Sequence, residues 1–410
     1  MKFDLAWGDG TMPLDVPDRN LLDALEPNDA RPTQDFAAQL RQAAASAEEF
    51  LRGHHRVLVL VNDYTRPTPN SLALAGLAPL LAGRDIHCLV CLGTHRPPTA
   101  EERARIFGPD FLDRHAACVS DHDCRDRSRL FFKGRTSRGT DVWLNRELMW
   151  AEAVIAINSV EPHYFAGFTG GRKTFLPGVA AETTIAENHA LVIEPGSETL
   201  RLAGNPVHED MAEAARMIIR PVFSIQFVLD RNHDPYSVYY GDLEATLAAA
   251  ALDSRAVYAR PVRGRADIIV SVLKPPYDIN FYQSQRAVEL ARPALADGGI
   301  HICVSACRGG VGNDDFVKVF AGCRAAADVI GCAADDRRFG WHKSARLARI
   351  MEAARLWTVV GVDDETVGRV FMRPFRTVRQ ALDAALAELG PDAKVYVIPD
   401  AGGVVPVFED

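Results

Sequence analysis

The sequence predicts an α/β protein of two domains, each a mostly parallel sheet flanked by helices, with the active site in the cleft between them. Two observations carry this expectation. Runs rich in β-branched residues alternate with helix-like stretches along the chain, the pattern of parallel strands joined by helical crossovers. The polar clusters rich in glycine and proline fall directly after those runs, where ligands bind in open parallel sheets.

The first strand-like run is RVLVLVN (56–62), and a helix-like segment begins near Asn70. IHCLVCL (86–92) follows, and Thr99-Ala100-Glu101-Glu102 then forms a capping box that opens a helix. AVIAIN (153–158) precedes a glycine-rich loop and a helix over 182–191. VFSIQFVL (222–229) is a strand followed by a helix over 241–257. The series resumes with DIIVSVL (267–273), a helix from 282, and HICVSA (301–306). It ends with a helix over 343–355, WTVVGV (357–362), a helix over 376–388 and KVYVIP (394–399). The polar segment ARPVRGRAD (259–267) separates a helix from a strand and marks the domain boundary. Residues 1–260 are expected to form a cofactor-binding and catalytic domain, and 261–410 a domain contributing substrate-pocket residues.

The 410 residues carry a net charge of −8, against the basic stripe of a nucleic-acid binder. No run approaches the roughly 18 apolar residues of a membrane span. The N-terminus, MKFDLAWGDGTMPLDV, has early acids and no signal-peptide pattern, so a cytoplasmic setting is expected. Eight cysteines are scattered. Cys88 and Cys91 lie within a strand-like run and read as buried small hydrophobes rather than a metal knuckle.

Five loops after strands hold the polar chemistry: 63–70, 93–99, 158–173, KPPYDINFYQSQR (274–286) and CRGGVGND (307–314). DYTRPTPN (63–70) offers Asp63 and Arg66 across a proline-restricted turn, either as a structural pair or with Arg66 gripping a carboxylate or phosphate. GTHRPPT (93–99) presents His95, and VEPHYF (160–165) presents His163. Two histidines on neighbouring strand-end loops suit general acid–base work near neutral pH. HYFAGFTGGRKTFLPG (163–178) resembles a phosphate loop but is not an orthodox one. Where G-x-x-x-x-G-K-[ST] needs a glycine before Lys173-Thr174, the chain has Arg172. Gly167, Gly170 and Gly171 would let backbone N–H groups approach an anion, with Arg172 and Lys173 adding charge. Lys173 is also a possible nucleophilic amine. His95, His163 and His189 could bind zinc, although none shows H-x-x-x-H spacing.

Taken together, DYTRPTPN, GTHRPPTAEE, EPHYFAGFTGGRKTFLPGVAAETTIAENH and DINFYQSQRA closely resemble the lactate racemase family, the nickel-pincer nucleotide-dependent racemases and epimerases of 2-hydroxy acids. The resemblance implies that Lys173 is tethered through a thioamide to a pyridinium-3,5-bisthiocarboxylic acid mononucleotide carrying nickel. His189 matches the protein ligand to that nickel, and imidazole suits Ni(II). His95 and His163 match the catalytic bases, and Arg66 a substrate-positioning arginine with Asp63 and Thr65 beside it. Gly167, Gly170 and Gly171 match the cofactor cradle. Tyr282, Gln283 and Trp341 match pocket residues of the second domain. Arg286 stands where lactate racemases carry lysine, which points to a hydroxy acid other than lactate with a further carboxylate or hydroxyl. The implied reaction moves hydride from C2 and back to the opposite face through a 2-keto acid. The implied partners are the hydroxy acid and the proteins that build the cofactor. The competing readings are a cofactor carrier without catalysis, which would need only Lys173 and His189, and a zinc-dependent hydrolase.

Overall fold

A computed structural model describes residues 1–30, 35–275, 277–335 and 340–408. The chain divides into two compact units, one of residues 29–257 and one of residues 1–28 with 258–410. Among the described residues no helix is long and apolar enough to cross a membrane.

The 29–257 unit is built on a six-stranded sheet. Across it lie Pro235–Gly241, Val222–Leu229, Ala153–Ser159, Arg56–Asn62, Asp85–Cys91 and Val119–Asp121. All neighbours pair in parallel except the Pro235–Gly241 edge. The β-branched runs form the inner strands because helices cover both faces, so side chains on either side are buried. In Ala153–Ser159 every residue is buried. Val57, Val59, Val61, Ile155 and Ile157 pack with Leu74 and Leu77 of the helix Asn70–Leu81. The capping box forms as the sequence predicts: Thr99 Oγ1 accepts from Glu102 N at 3.2 Å, and Glu102 Oε2 accepts from Thr99 N at 2.7 Å. Period-two alternation puts Cys88 and Cys91 on opposite faces of their strand. Cys88 is in the core, and Cys91 is partly exposed.

The second unit also has a six-stranded sheet, ordered Arg373–Pro374, Arg355–Val360, Leu295–Ser305, Ala266–Val272, Val395–Ile398 and Leu21–Ala24, with every pairing parallel. Here the sequence-based boundaries need correction. Residues 1–28 belong to this unit and not to the domain that follows them in the chain. Leu21–Ala24 extends the sheet beside Val395–Ile398. The hairpin of Lys2–Trp7 and Gly10–Asp15 buries Leu5 and Leu14 against Ile268, Ile302 and Val395. Asn20 fastens the junction, donating to the carbonyls of Pro391 at 2.7 Å and Ala393 at 2.9 Å.

Candidate active site

The strand order of the 29–257 sheet reverses about Arg56–Asn62: the next strand, Asp85–Cys91, lies on one side and Ala153–Ser159 on the other. Connections leaving neighbouring strands in opposite directions open a crevice at their carboxyl ends. A cavity of about 80 Å³ lies there, lined by Asp63, Thr65 and Arg66, by Cys91 and His95, by Asn158, and by Gly170 and Lys173 of the glycine loop.

Asp63 and His95 form its central pair. Asp63 is 4% exposed. One carboxylate oxygen accepts from Thr65 N at 3.0 Å and Thr65 Oγ1 at 2.6 Å. The other lies 2.5 Å from His95 Nδ1. Burial alone would raise the Asp63 carboxyl; the His95 imidazole, then Arg66 and Thr65, outweigh it and hold the group below its ordinary value. An ionised carboxylate only accepts, so the partnership assigns the proton to His95 Nδ1 and leaves Nε2 as the basic nitrogen. The loop bearing His95 is braced from behind. Arg96 pairs with both Glu102 oxygens at 2.7 Å and lies 4.1 Å over the Tyr64 ring. Glu102 thus caps a helix and anchors the loop together, a coupling the string GTHRPPTAEE contains but its capping signal alone does not show.

His163 sits in a short ladder of Pro162–His163 with Gly167–Phe168. It is buried, stacked on Tyr164 at 4.9 Å with the Phe165 edge at 4.5 Å. Ala166 N donates to its Nδ1 at 3.3 Å, which assigns the ring proton to Nε2. The two imidazoles are therefore held as opposite tautomers. The Phe165 ring joins three of the expected residues: besides His163, it meets the His189 ring at 5.1 Å and lies 5.6 Å from Lys173 Nζ.

His189 occupies the last turn of the helix Glu182–Ala190. Its neighbour Asn188 fixes that turn, donating to Asp210 at 2.8 Å and to Val207 O at 3.2 Å. Asp210 also accepts from Thr136 at 2.5 Å and Thr140 at 2.8 Å. Among the described residues no group of three or more His, Cys, Asp or Glu could hold a metal ion, so His95, His163 and His189 do not form a zinc triad.

The glycine loop departs from the anion-cradle expectation. Only Gly170 of the three glycines lines the cavity. A Cβ at Gly167 would fall 2.0 Å from Arg201 O, so that glycine permits a close backbone crossing. Gly171 N donates to Gln226 Oε1 at 3.1 Å. Arg172 turns away from the cavity. Its guanidinium is buried and donates to the carbonyls of Ala166 at 2.6 Å, Gly170 at 3.1 Å and Thr169 at 3.3 Å. Burial lowers it to about 9. Arg172 therefore shapes the loop from inside, and Lys173 alone brings this pair's charge to the cavity.

The remaining expected residues lie in the other unit. Tyr282 and Gln283 open the helix Phe281–Ala291, where Gln283 N is capped by Asn280 at 2.9 Å. Lys343 Nζ lies 3.7 Å over the Tyr282 ring and donates to Tyr282 O at 2.9 Å. Trp341 is buried at the start of the helix Trp341–Met351. Arg286, expected to face substrate, is 4% exposed, with Nε donating to Gly402 O and the guanidinium 4.5 Å over Tyr277. Burial draws its fork onto the unit's own backbone. Sequence reasoning passed over Lys343 because a lysine in FGWHKSARLARI reads as a solvated helix position.

Two imidazoles fixed as opposite tautomers suit a reaction that takes a proton at one place and delivers one at another. Hydrolases, lyases and isomerases all use such general acid–base steps. The comparisons with known proteins make the class specific. The lactate racemase N-terminal domain family matches residues 7–200, and the C-terminal domain family matches 263–406. The chain is 30% identical over 371 residues to the lactate racemase of Lactiplantibacillus plantarum, covering 87% of this chain and 86% of that protein. It is 29% identical over 373 residues to the lactate racemase of Thermoanaerobacterium thermosaccharolyticum, with the same shares of each chain covered. The solved lactate racemase apoprotein from T. thermosaccharolyticum superposes with a TM-score of 0.89 at 26% identity, over 100% of both chains. The chain belongs to the lactate racemase family and is an isomerase of the racemase type.

Proposed function

We propose that this racemase inverts C2 of a 2-hydroxy acid, using a nickel-pincer nucleotide tethered at Lys173. The observation that carries the reading is the switch-point cavity, where the Asp63–His95 pair, Arg66 and Lys173 meet. The residues present fit such a group. Lys173 offers an amine to the cavity. Gly170 lines the cavity, and its lack of a Cβ, which would fall 2.6 Å from Gln226 Oε1, lets the loop lie close on the strand beneath it. Lys173 and His189 both lie against Phe165. Lys173 would hold the nucleotide and His189 its metal, with Asp63, Thr65, Arg66 and Gly170 around them. When bound, the group supplies a hydride acceptor and donor, so that inversion runs through a 2-keto acid.

The chain's own residues supply the rest. Arg66 pairs with the substrate carboxylate. His95 Nε2 takes the hydroxyl proton, and Asp63 stabilises the imidazolium that forms. His163 Nε2 carries a proton and delivers it when the reaction runs to the other face. This pairing also favours catalysis over a carrier role, because a carrier has no use for a buried carboxylate aligned on His95. The substrate we propose is larger or more polar than lactate, on the exchange of the family lysine for Arg286. The setting we propose is the cytoplasm, beside the proteins that build the cofactor.

The test is made on protein produced with those proteins. Intact mass should show an adduct on Lys173, with nickel present. Substrate deuterated at C2 should give inverted product that keeps its deuterium in light water. Washout of that label during turnover would remove the hydride route.

A further inference from the structure

We propose that the side-chain amide of Asn158 is the hydrogen-bond donor that positions the group bound at Lys173, by gripping an acceptor oxygen or sulfur beside the lysine amine. The inference rests on the tether reading above. Asn158 is the next-to-last residue of Ala153–Ser159, a strand buried along its whole length. Its side chain is 1% exposed. Its Oδ1 accepts from Thr174 Oγ1 at 2.8 Å, which leaves the NH₂ end toward the cavity side. Among the described residues its Nδ2 has no hydrogen-bond partner. The neighbouring strand shows the contrast, since Gln226 pairs directly with Asn158 in the sheet register. The Gln226 amide is used at both ends, accepting from Gly171 N at 3.1 Å and donating to Ser224 Oγ at 2.6 Å.

Two amides therefore lie under the same loop, and only one is satisfied at both ends among the described residues. An unpaired buried donor opposes folding, and an apolar residue would suit this interior strand better. The liability has a use where the donor meets a ligand. Asn158 lines the same cavity as Lys173. The hydroxyl that orients it belongs to Thr174, the residue next to the tether in the turn Gly171–Thr174. The lysine amine and the amide donor are thus set by one short segment.

The experiment compares wild type with the double variant Asn158→Leu, Thr174→Val, which removes the pair together and strands neither partner. Both are produced beside the cofactor-building proteins and sampled at one short loading time. Intact mass is expected to show the adducted fraction reduced roughly tenfold, the factor that one hydrogen bond represents. The cofactor-free double variant is expected to melt at or above the wild-type temperature. Equal loading of both chains overturns the proposal and leaves the tether reading standing. A wild-type chain that takes no adduct overturns the tether reading and this proposal with it. If the double variant fails to fold, the loaded wild-type structure decides. An acceptor on the bound group about 3 Å from Asn158 Nδ2 supports the proposal, and a group seated with no acceptor within hydrogen-bond reach of it overturns it.

Discussion

The two six-stranded sheets differ in strand order and in what closes their carboxyl ends. Each has a strand about which the order reverses, Arg56–Asn62 in one and Ala266–Val272 in the other. At the first, the strand ends open on a cavity lined by Asp63, His95, Asn158 and Lys173. At the second, the chain closes over its own ends. Ala401 N donates to Val272 O at 2.7 Å, Leu273 N to Val304 O at 2.9 Å, and Lys274 pairs with Asp400 at 3.7 Å. Arg286 and Lys343 likewise direct their cations to Gly402 O and Tyr282 O. A switch point offers a crevice, but the residues after the strands decide whether it becomes a site. The groups at the first switch point are arranged around a cavity, and those after Ala266–Val272 satisfy one another.

The sharpest way to break this comparison is to move the lysine chemistry. Lys173→Ala is expected to abolish the adduct by intact mass, whereas Lys343→Ala should leave it in place. His189→Ala should lose nickel while the organic part stays on Lys173, because it removes a ligand and not the tether. An adduct on any other lysine overturns the assignment of the open end as the functional one.

A smaller effect follows from the paired imidazoles. His95→Ala and His163→Ala should each slow inversion by about 10²–10⁴-fold with the Lys173 adduct intact. Asp63→Asn should fall in the same range, because an amide can donate to His95 Nδ1 and so select the wrong tautomer. Retention of near wild-type turnover in Asp63→Asn would show that the 2.5 Å contact is structural.

The open end was far more legible in the sequence than the closed one. Strand-end position picked out Asp63, Arg66, His95 and Lys173, since β-branched runs announce strands and the residues after them face the crevice. Arg172 was misread because it is adjacent to Lys173 and equally charged. Only the tight turn sends one side chain into the loop and the other to the cavity. Asn158 was invisible because AVIAIN reads as plain strand, and an unpaired donor is a property of three-dimensional packing. The first 28 residues were assigned to the wrong unit because pairing between residues 21–24 and 395–398 spans nearly the whole chain. Arg286 was read by its chemistry alone, and burial against Gly402 and Tyr277 redirected it.

Arg286 gives the next test of the contrast. If the second sheet's cations serve the fold, Arg286→Lys should lower stability to urea by roughly 2 kcal/mol, the scale of a buried hydrogen bond from a charged donor. Lysine lacks the planar fork that reaches the Gly402 carbonyl while lying over Tyr277. Unchanged stability with a substrate preference moved toward small hydroxy acids would show that this residue acts on the substrate directly, and the contrast between the sheets would narrow.

The smallest effect is acid sensitivity of the cavity wall. His122 is buried, with Nε2 donating to Ala180 O at 2.9 Å and Nδ1 accepting from Asn145 Nδ2 at 3.0 Å. Burial first, then Arg129, lowers it to about 4, against the hydrogen bond to Ala180 and the Asp123 charge, which raise it. The folded chain therefore keeps this ring neutral where the unfolded chain begins to protonate near the ordinary histidine value. Across that window the unfolded state binds more protons, so stability falls as pH falls. The loss begins below the unfolded value of 6.5 and levels off below about 4. From about pH 7 to about pH 5.5 it should amount to roughly 1 kcal/mol. The consequence is local, because Ala180 follows Pro177 and Gly178, which line the cavity, and Gly178 O accepts from Gly93 N at 3.0 Å. Protonating Nδ1 would set two donors against each other at Asn145 and loosen that segment. Hydrogen exchange at residues 178–180 should quicken across this pH range in wild type and change less in His122→Gln, whose amide offers one donor and one acceptor and does not titrate. Equal acid response in the two chains would assign the sensitivity to other buried histidines, such as His301 of the closed sheet, which burial lowers to about 3.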